Sequence, residues 1–302
     1  KRAVKLSDGK EPFSFALYRA ISGELIKSAS KDAIFSRYFL VLNRNLMCRA
    51  ANTESIRHPH MHWEEDPLAI KFSHMKNDQE GDRPGDGRHI YANPAIPEVC
   101  PILAMGVYFS VLGFVSEGKL FPGKSPYDRY SKALKRSLES DSLPQFLLSS
   151  GLRTTDFGSY SARKGSATFV SSCTTAGPSA AAICLRAGWS LPGVQNTYIR
   201  FEAAGDMVVG RFVAGLPFES PDFALLPPHL SRSSETVRSA ISICFSGAPI
   251  ALRRVCEFCV ASLVYHEANL RRTLPLNHLL FGSALFRNAS LMADLKSLVQ
   301  CR

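Results

Sequence analysis

The sequence contains no apolar run long enough to cross a lipid bilayer. A membrane-spanning helix needs about 20 consecutive apolar residues, and the longest candidate run, 102–115, is followed by a serine, a glutamate and a glycine. The chain also lacks the apolar core and cleavage site of a signal peptide after its basic first residues. It begins with Lys1 rather than methionine, so we expect further sequence upstream. These absences predict an intracellular protein that does not act at a membrane.

Neither a disulfide framework nor a low-complexity composition is present. The eight cysteines are spread over 302 residues, and most stand in apolar stretches such as 182–185. This placement predicts buried free thiols and a reducing compartment. Hydrophobic residues make up 45% of the chain and charged residues 21%, which are ordinary proportions for a globular protein. A disordered basic tail is therefore excluded, and no internal repeat indicates an array.

Acidic residues are too few to balance the basic ones. The chain has 26 Asp and Glu against 36 Lys and Arg, which gives a formal net charge of +10. A basic surface attracts nucleic acid or an anionic membrane. Most of the excess positive charge lies before residue 215. Net charge alone does not distinguish between these two partners.

Hydrophobic periodicity predicts a mainly α fold with one small antiparallel β-sheet. Apolar residues at helical spacing recur along most of the chain. The predicted helices cover 12–29, 31–48, 101–116, 125–138, 161–174, 178–187, 192–199 and 203–213. Apolar residues within 63–75 and at 88–91 flank a polar, Gly- and Asp-rich stretch at 77–87. This pattern indicates a two-stranded hairpin with a long charged turn, and Lys76 would lie at its mouth.

The region after residue 215 differs in composition from what precedes it. The stretch 215–229 contains four prolines, which is typical of a linker or wrapping arm. Residues 233–302 then indicate additional helices. We therefore divide the chain into 1–215, which holds the candidate functional residues, and 216–302, a linker with an additional C-terminal helical region.

Three short segments, 158–165, 186–190 and 196–200, contain the most informative residues. They resemble the catalytic core of the tyrosine recombinases, also called the phage-integrase superfamily. In that family an early arginine, a hairpin lysine, a His-x-x-Arg box, a His or Trp after a glycine, and a nucleophilic tyrosine follow one another. The counterparts here are Arg49, Lys76, Tyr160, Arg163, Trp189 and Tyr198. The nine-residue separation between Trp189 and Tyr198 fits the family pattern.

Within the superfamily, the chain is most similar to the recombinases of Crypton-type mobile elements and their domesticated relatives. The segments on which this similarity rests are 76–81, 91–94, 100–101, 186–190, 204–206 and 210–211. Any single box occurs by chance in unrelated proteins, whereas five boxes in the family order are a strong signal. The resemblance covers residues 10 to 230 and implies the tyrosine recombinase/integrase catalytic-core fold.

The residue types suit DNA cleavage by a protein nucleophile. Cleavage without a metal needs a nucleophile, charge stabilisation on the non-bridging phosphate oxygens and an acid for the leaving 5′ oxygen. The resemblance implies that Tyr198 attacks the phosphorus and forms a 3′-phosphotyrosyl bond, so that no cofactor is needed. Arg49 and Arg163 would hold the phosphate, because each guanidinium is a charged planar fork. Lys76 would protonate the leaving oxygen.

Position 160 departs from the family pattern, because it is a tyrosine where the family has a histidine. That histidine helps to accept the proton of the nucleophile, whereas a phenol is a poor base near pH 7. The phenol of Tyr160 can still donate a hydrogen bond to phosphate. Trp189 is a permitted variant, since its indole N–H can donate to a phosphate oxygen. We therefore expect weakened activity.

Other residues offer alternative interpretations. Lys71 competes with Lys76 for the acid role, but it stands inside the predicted strand, which favours Lys76. The histidines within 58–62 alternate along an extended segment and could bind a metal, although the sequence fixes no carboxylate or cysteine ligand beside them. Cys256 and Cys259 form one Cys-x-x-Cys pair, whose apolar neighbours are more typical of a buried helix face than of a zinc site.

Two main functions follow from these observations. The first is a DNA-binding tyrosine recombinase or integrase that acts in the nucleus on double-stranded DNA, as a homo-oligomer (a tetramer) without a metal or cofactor. Basic residues of the predicted helix 125–138, namely Lys132, Lys135 and Arg136, would then contact phosphates or form a solvated face. The second is a domesticated relative that only binds DNA. A zinc-dependent C-terminal module is a third hypothesis.

Overall fold

The computed structural model describes residues 9–72, 87–115, 118–140, 143–191, 203–232 and 234–301. Within them the protein is mainly helical with a small antiparallel sheet, which confirms the predicted class. The helices are α1 (Phe15–Lys27), α2 (Lys31–Leu46), α3 (Ala50–Glu54), α4 (Pro101–Leu112), α5 (Pro126–Leu138), α6 (Leu143–Ser149), α7 (Tyr160–Ser172), α8 (Ala180–Ala187), α9 (Ala203–Val213), α10 (Glu235–Cys244), α11 (Arg253–Tyr265), α12 (Glu267–Thr273), α13 (Ala284–Arg287) and α14 (Ala289–Lys296). The strands are β1 (Met61–Trp63), β2 (Leu68–Ile70), β3 (Arg88–Ile90), β4 (His229–Leu230) and β5 (Val299–Gln300).

Serine caps define the starts of the first two helices. The Ser14 side chain accepts a hydrogen bond from the backbone N–H of Leu17, and Ser30 accepts one from Ala33. Such caps satisfy amide groups that have no partner inside the helix. The predicted helices 12–29 and 31–48 are thereby confirmed, with no end shifted by more than three residues.

Helix α2 is the centre of the hydrophobic core. It packs against α1, α4, α5 and α7, and every residue from Ala33 to Leu46 is buried. Two arginines are buried with it. Arg37 donates hydrogen bonds to the carbonyls of Pro97 and Glu98, whereas the Arg44 guanidinium lies 4.4 Å from the ring centroid of Tyr18. Because α2 is buried on all sides, it holds the chain segments that adjoin its ends in fixed positions.

The first sheet has three antiparallel strands in the order β1-β2-β3. Leu68 pairs with Ile90, which confirms the predicted hairpin between β2 and β3. The additional strand β1 pairs with β2 through Met61 and Ile70. Periodicity missed β1 because it has only three residues, too few to show an alternation. Nearly all of the predicted turn at 77–87 lies outside the described residues.

The other predicted helices agree with the structure where it describes them. The helices predicted at 101–116, 125–138, 161–174, 178–187 and 203–213 correspond to α4, α5, α7, α8 and α9. The helix predicted at 192–199 lies outside the described residues. Helices α3 and α6 were missed, because five and seven residues are too short for a periodic signal.

The C-terminal helices share a core with the first part of the chain. Helix α11 packs against α4, and residues of both belong to one continuous hydrophobic cluster. The rings of Trp63 in β1 and Phe258 in α11 stack with centroids 3.6 Å apart. Strand β4 pairs with β5, so the chain end lies beside the segment that follows the proline-rich stretch. Burial of α11 therefore connects the two parts of the chain.

All eight cysteines are free thiols, as predicted, and four of them are buried. Burial raises the pKa of Cys256 to about 12 and that of Cys259 well above its usual range. Across the described ranges, no helix is both long enough and apolar enough to span a membrane.

Candidate functional site

Arg49 lies at the junction between α2 and α3. Helix α2 ends at Met47, whose left-handed backbone (φ 50°) turns the chain sharply. Arg49 then caps α3, and its carbonyl accepts hydrogen bonds from the N–H groups of Asn52 and Thr53. Below this turn, the Asn43 side chain donates to the carbonyl of Cys48 and to the Thr53 hydroxyl. These hydrogen bonds hold the backbone of the junction in place. The half-buried Arg49 guanidinium has no hydrogen bond or ion pair within the described part of the chain.

Arg163 lies one turn into α7 and faces the end of α8. Its Nη2 donates a hydrogen bond of 2.5 Å to the carbonyl of Ala187. Burial lowers the pKa of the guanidinium, and the positive charge of Arg49 lowers it further. The positive charges of two arginines from distant parts of the sequence therefore act on each other. Like charges gathered in this way are stabilised when an anion binds between them.

Trp189 lies beside Arg163 because of the way α8 ends. Gly188 adopts a left-handed conformation (φ 66°), and its N–H donates to the carbonyl of Leu185. The N–H of Trp189 donates to the carbonyl of Cys184. These two bonds form a Schellman motif, which reverses the chain direction at a helix end. The indole ring then lies 5.7 Å from the Arg163 guanidinium, and 44% of Trp189 is exposed.

Tyr160 is the first residue of α7, and 60% of its surface is exposed. Its neighbour Ser159 has its hydroxyl 2.8 Å from that of Tyr127, which lies at the start of α5. The N-terminal ends of α5 and α7 are therefore adjacent. Tyr160 and Arg163 are separated by three positions, so they lie on the same face of α7.

Two of the six predicted site residues, Lys76 and Tyr198, lie outside the described residues. Their assigned roles stay predictions. The competing Lys71 comes directly after β2 rather than inside it, and it is exposed. The structure therefore brings together Arg49, Tyr160, Arg163 and Trp189.

A buried polar network beneath the site contains residues to which the sequence assigned no role. The Arg186 side chain is fully buried and donates to a carboxylate oxygen of Asp206 at 2.7 Å. It also donates to the carbonyls of Asn45 and His89. These bonds join α8, α9, β3 and the end of α2. An isolated arginine in apolar α8 and an isolated aspartate in apolar α9 were the signal that could have identified this pair.

The network continues through the sheet. Asp206 accepts hydrogen bonds from the backbone N–H of His89 at 2.9 Å, and its oxygen lies 2.8 Å from Nδ1 of the same residue. Burial raises the pKa of Asp206, but the charge of Arg186 and the His89 hydrogen bond outweigh it and hold that pKa well below its usual range. Burial lowers the pKa of His89, but its bonds to Asp206 and Glu64 outweigh it, so the net shift is upward. Asp206 is therefore ionised at neutral pH.

The basic residues of α5 have acidic neighbours. Arg136 lies 3.6 Å from Asp32, and Lys135 lies 3.9 Å from Glu139. Lys132 is exposed. Such surface ion pairs are weak and exchange readily with phosphate. These side chains remain accessible to a nucleic acid.

Two alternative metal sites were considered from the sequence, the histidines within 58–62 and the pair Cys256 and Cys259, and the described ranges support neither. No group of three or more His, Cys, Asp or Glu side chains there is arranged to hold a metal ion. Cys256 and Cys259 lie on the buried side of α11, as the apolar pattern around them predicted.

Comparison with known proteins gave no match: no protein-family model, no curated protein and no solved structure matches the chain. The interpretation of the site therefore depends on its own residues and geometry.

Proposed function

We propose that the protein is a DNA-binding tyrosine recombinase or integrase that cleaves and rejoins DNA through a covalent 3′-phosphotyrosyl intermediate. The observation on which this proposal depends is the Arg163 guanidinium, which lies 5.7 Å from the centroid of the half-exposed Trp189 indole and is subject to the positive charge of Arg49. Two guanidinium groups and an indole N–H are donors that match the oxygens of one phosphodiester. The Arg49 side chain, which has no hydrogen bond or ion pair within the described residues, supports the same role.

The reaction follows from the roles of the individual residues. The Tyr198 hydroxyl loses its proton to solvent water and its oxygen attacks the phosphorus in line, so that a P–O bond to tyrosine forms and the bond to the 5′ oxygen breaks. Arg49 and Arg163 stabilise the negative charge that develops on the non-bridging oxygens. Lys76 supplies the proton that the 5′ oxygen takes up. Attack by a DNA 5′-hydroxyl then reverses these steps and releases Tyr198, so no cofactor is consumed.

The buried network supports this assignment by joining the two helices that precede and follow the segment with Tyr198 in the sequence. The segment that contains Tyr198 connects α8 to α9, and the ion pair between Arg186 and Asp206 joins these two helices. The same network holds β3, which belongs to the hairpin of Lys76. Positioning residues of this kind reduce the conformational freedom of the groups that they surround.

The proposal extends to the partners of the protein. Double-stranded DNA is the substrate, and the excess of positive charge supports electrostatic attraction to it. Strand exchange needs two DNA duplexes and more than one nucleophile, so we propose a homo-oligomer, a tetramer, that acts on DNA in the nucleus.

The experiment that tests the proposal is the capture of a covalent adduct. A library of nicked duplexes with randomised sequence traps the phosphotyrosyl intermediate, because the short strand beside the cleaved phosphate diffuses away. We expect wild-type protein to give an adduct that survives denaturation and Tyr198→Phe to give none, since phenylalanine has no oxygen nucleophile. Tyr265→Phe, which alters an exposed tyrosine in α11, is the matched control and should retain the adduct. Equal adduct from wild type and Tyr198→Phe would contradict the proposal.

A second candidate is a domesticated relative that binds DNA without cleaving it. Tyr160 favours it, because an exposed phenol stands where the resemblance implies a proton-accepting histidine. If the site is only damaged, Tyr160→His should increase adduct formation at least about tenfold, within the range of general acid–base catalysis. The comparison uses the same nicked library at pH 7. No adduct from either protein, together with retained DNA binding, would favour the second candidate.

A further inference from the structure

Two exposed aromatic rings flank the guanidinium of Arg163. Trp189 is 44% exposed and Tyr160 is 60% exposed, although aromatic side chains normally bury most of their surface. A third exposed ring, that of Tyr127, lies next to Ser159 at the start of the same helix. The surface around Arg163 therefore also carries exposed aromatic rings.

The arrangement places cation and ring within reach of a single nucleotide. Arg163 lies 5.7 Å from the centroid of the indole, and Tyr160 lies one helical turn before Arg163 on the same face. Arg49 is close enough to lower the pKa of Arg163. Neither ring engages another aromatic side chain in the described ranges. Exposed rings beside fixed positive charges are the combination that binds unpaired nucleotides, because the cations hold the backbone and the rings stack on bases.

We propose that the site takes an unpaired nucleotide, whose base stacks on Tyr160 or Trp189 while Arg49 and Arg163 hold its phosphate. A base inside a duplex already stacks on its neighbours and cannot reach these rings. The ligand is therefore a nucleotide that is unstacked from the double-stranded substrate, and single-stranded DNA is its simplest probe. The inference rests on the proposed function because it uses the same phosphate-binding pair.

The ring of Tyr160, rather than its hydroxyl group, is the part that this inference requires. The hydroxyl has no hydrogen-bond partner within the described residues, and nothing in the site orients it. Stacking depends on the flat apolar surface of the ring, which phenylalanine also has. Replacement by phenylalanine and replacement by leucine therefore separate the two contributions.

Fluorescence anisotropy with labelled oligonucleotides tests the inference. The probes are a single strand, a fully paired duplex and a duplex with one unpaired base, all of the same length. We expect Tyr160→Leu to weaken binding of the first and third probes about tenfold more than binding of the paired duplex. Tyr160→Phe, which keeps the ring, should retain the wild-type preference for the two probes with unpaired bases. Tyr265→Leu, which removes a 45%-exposed ring far along the chain in α11, should bind all three probes like wild type.

Salt dependence distinguishes the ring from the charges. Tyr160→Leu should shift the logarithm of Kd for the single strand equally at every salt concentration, because stacking releases no counterions. Arg163→Gln should instead reduce the slope against log salt by about 1.

Two results would overturn the inference: equal losses for all three probes with Tyr160→Leu, or a loss with Tyr160→Phe as large as that with Tyr160→Leu. The adduct assay is independent of this outcome. An adduct without preference for unpaired bases overturns only the stacking site, whereas that preference without any adduct overturns only the proposed cleavage.

Discussion

Replacing Asp206 with alanine is expected to lower the free energy of unfolding by about 3–5 kcal/mol. The substitution leaves the fully buried Arg186 side chain without its only carboxylate partner within the described residues. It also removes the acceptor of the His89 backbone N–H. An uncompensated charge in a low-dielectric interior is costly because water cannot reach it. Chemical denaturation followed by circular dichroism measures the change.

Two further variants make the Asp206 test specific. Asp294→Ala removes an exposed carboxylate from α14 and should change stability by less than about 0.5 kcal/mol. Asp206→Asn keeps an acceptor for the His89 N–H and should therefore lower the free energy of unfolding less than Asp206→Ala does. A loss of under about 1 kcal/mol for Asp206→Ala, similar to an exposed site, would mean that the network does not fix α8 and α9.

Replacing Gly165 with alanine is expected to destabilise the protein by about 3 kcal/mol. Gly165 lies in α7 where the helix touches the segment before α1, and an added Cβ would lie 2.1 Å from the carbonyl oxygen of Phe13. The backbone N–H of Phe13 also donates to the carbonyl of Ser161. Both contacting atoms belong to the backbone, so neither can move aside as a flexible side chain would. Helix α7 would have to shift away from the core.

Gly23→Ala is the matched control for Gly165→Ala. Gly23 is also helical, but its added Cβ would meet only the Cγ of Glu98 at an ordinary 3.8 Å. Alanine favours a helix over glycine by about 0.5–1 kcal/mol, so this variant should be as stable as wild type or more stable. Equilibrium unfolding in urea compares the two. Equal stabilities would show that α7 docks without the close approach at Phe13. Because α7 contains Tyr160 and Arg163, Gly165→Ala should also reduce DNA binding.

The elements of secondary structure were predictable because their signals are local. Apolar residues at a spacing of three and four predicted α1 and α2 to within three residues. The strands of the hairpin followed from two short apolar runs on either side of a polar stretch. Strand β1 and helices α3 and α6 were missed because they are too short to repeat a period and no comparable polar stretch marks them.

The environment of α2 was less predictable than its existence. Its residues Arg37 and Arg44 are both buried, one against backbone carbonyls and the other against the ring of Tyr18. Partners of this kind come from segments far away in the sequence. No periodicity within α2 encodes them.

The sequence by itself determined the helical class, the hairpin and the candidate residues, because capping, periodicity and motif spacing act over a few positions. Only the tertiary structure decided that the charge of Arg49 acts on Arg163, that Arg186 and Asp206 form a buried ion pair, and that the Trp189 ring beside Arg163 remains exposed. The physical reason is that burial and proximity arise when distant segments pack on α2. The residues that pack against a side chain therefore decide whether it forms an ion pair, fixes a helix or stays exposed to solvent.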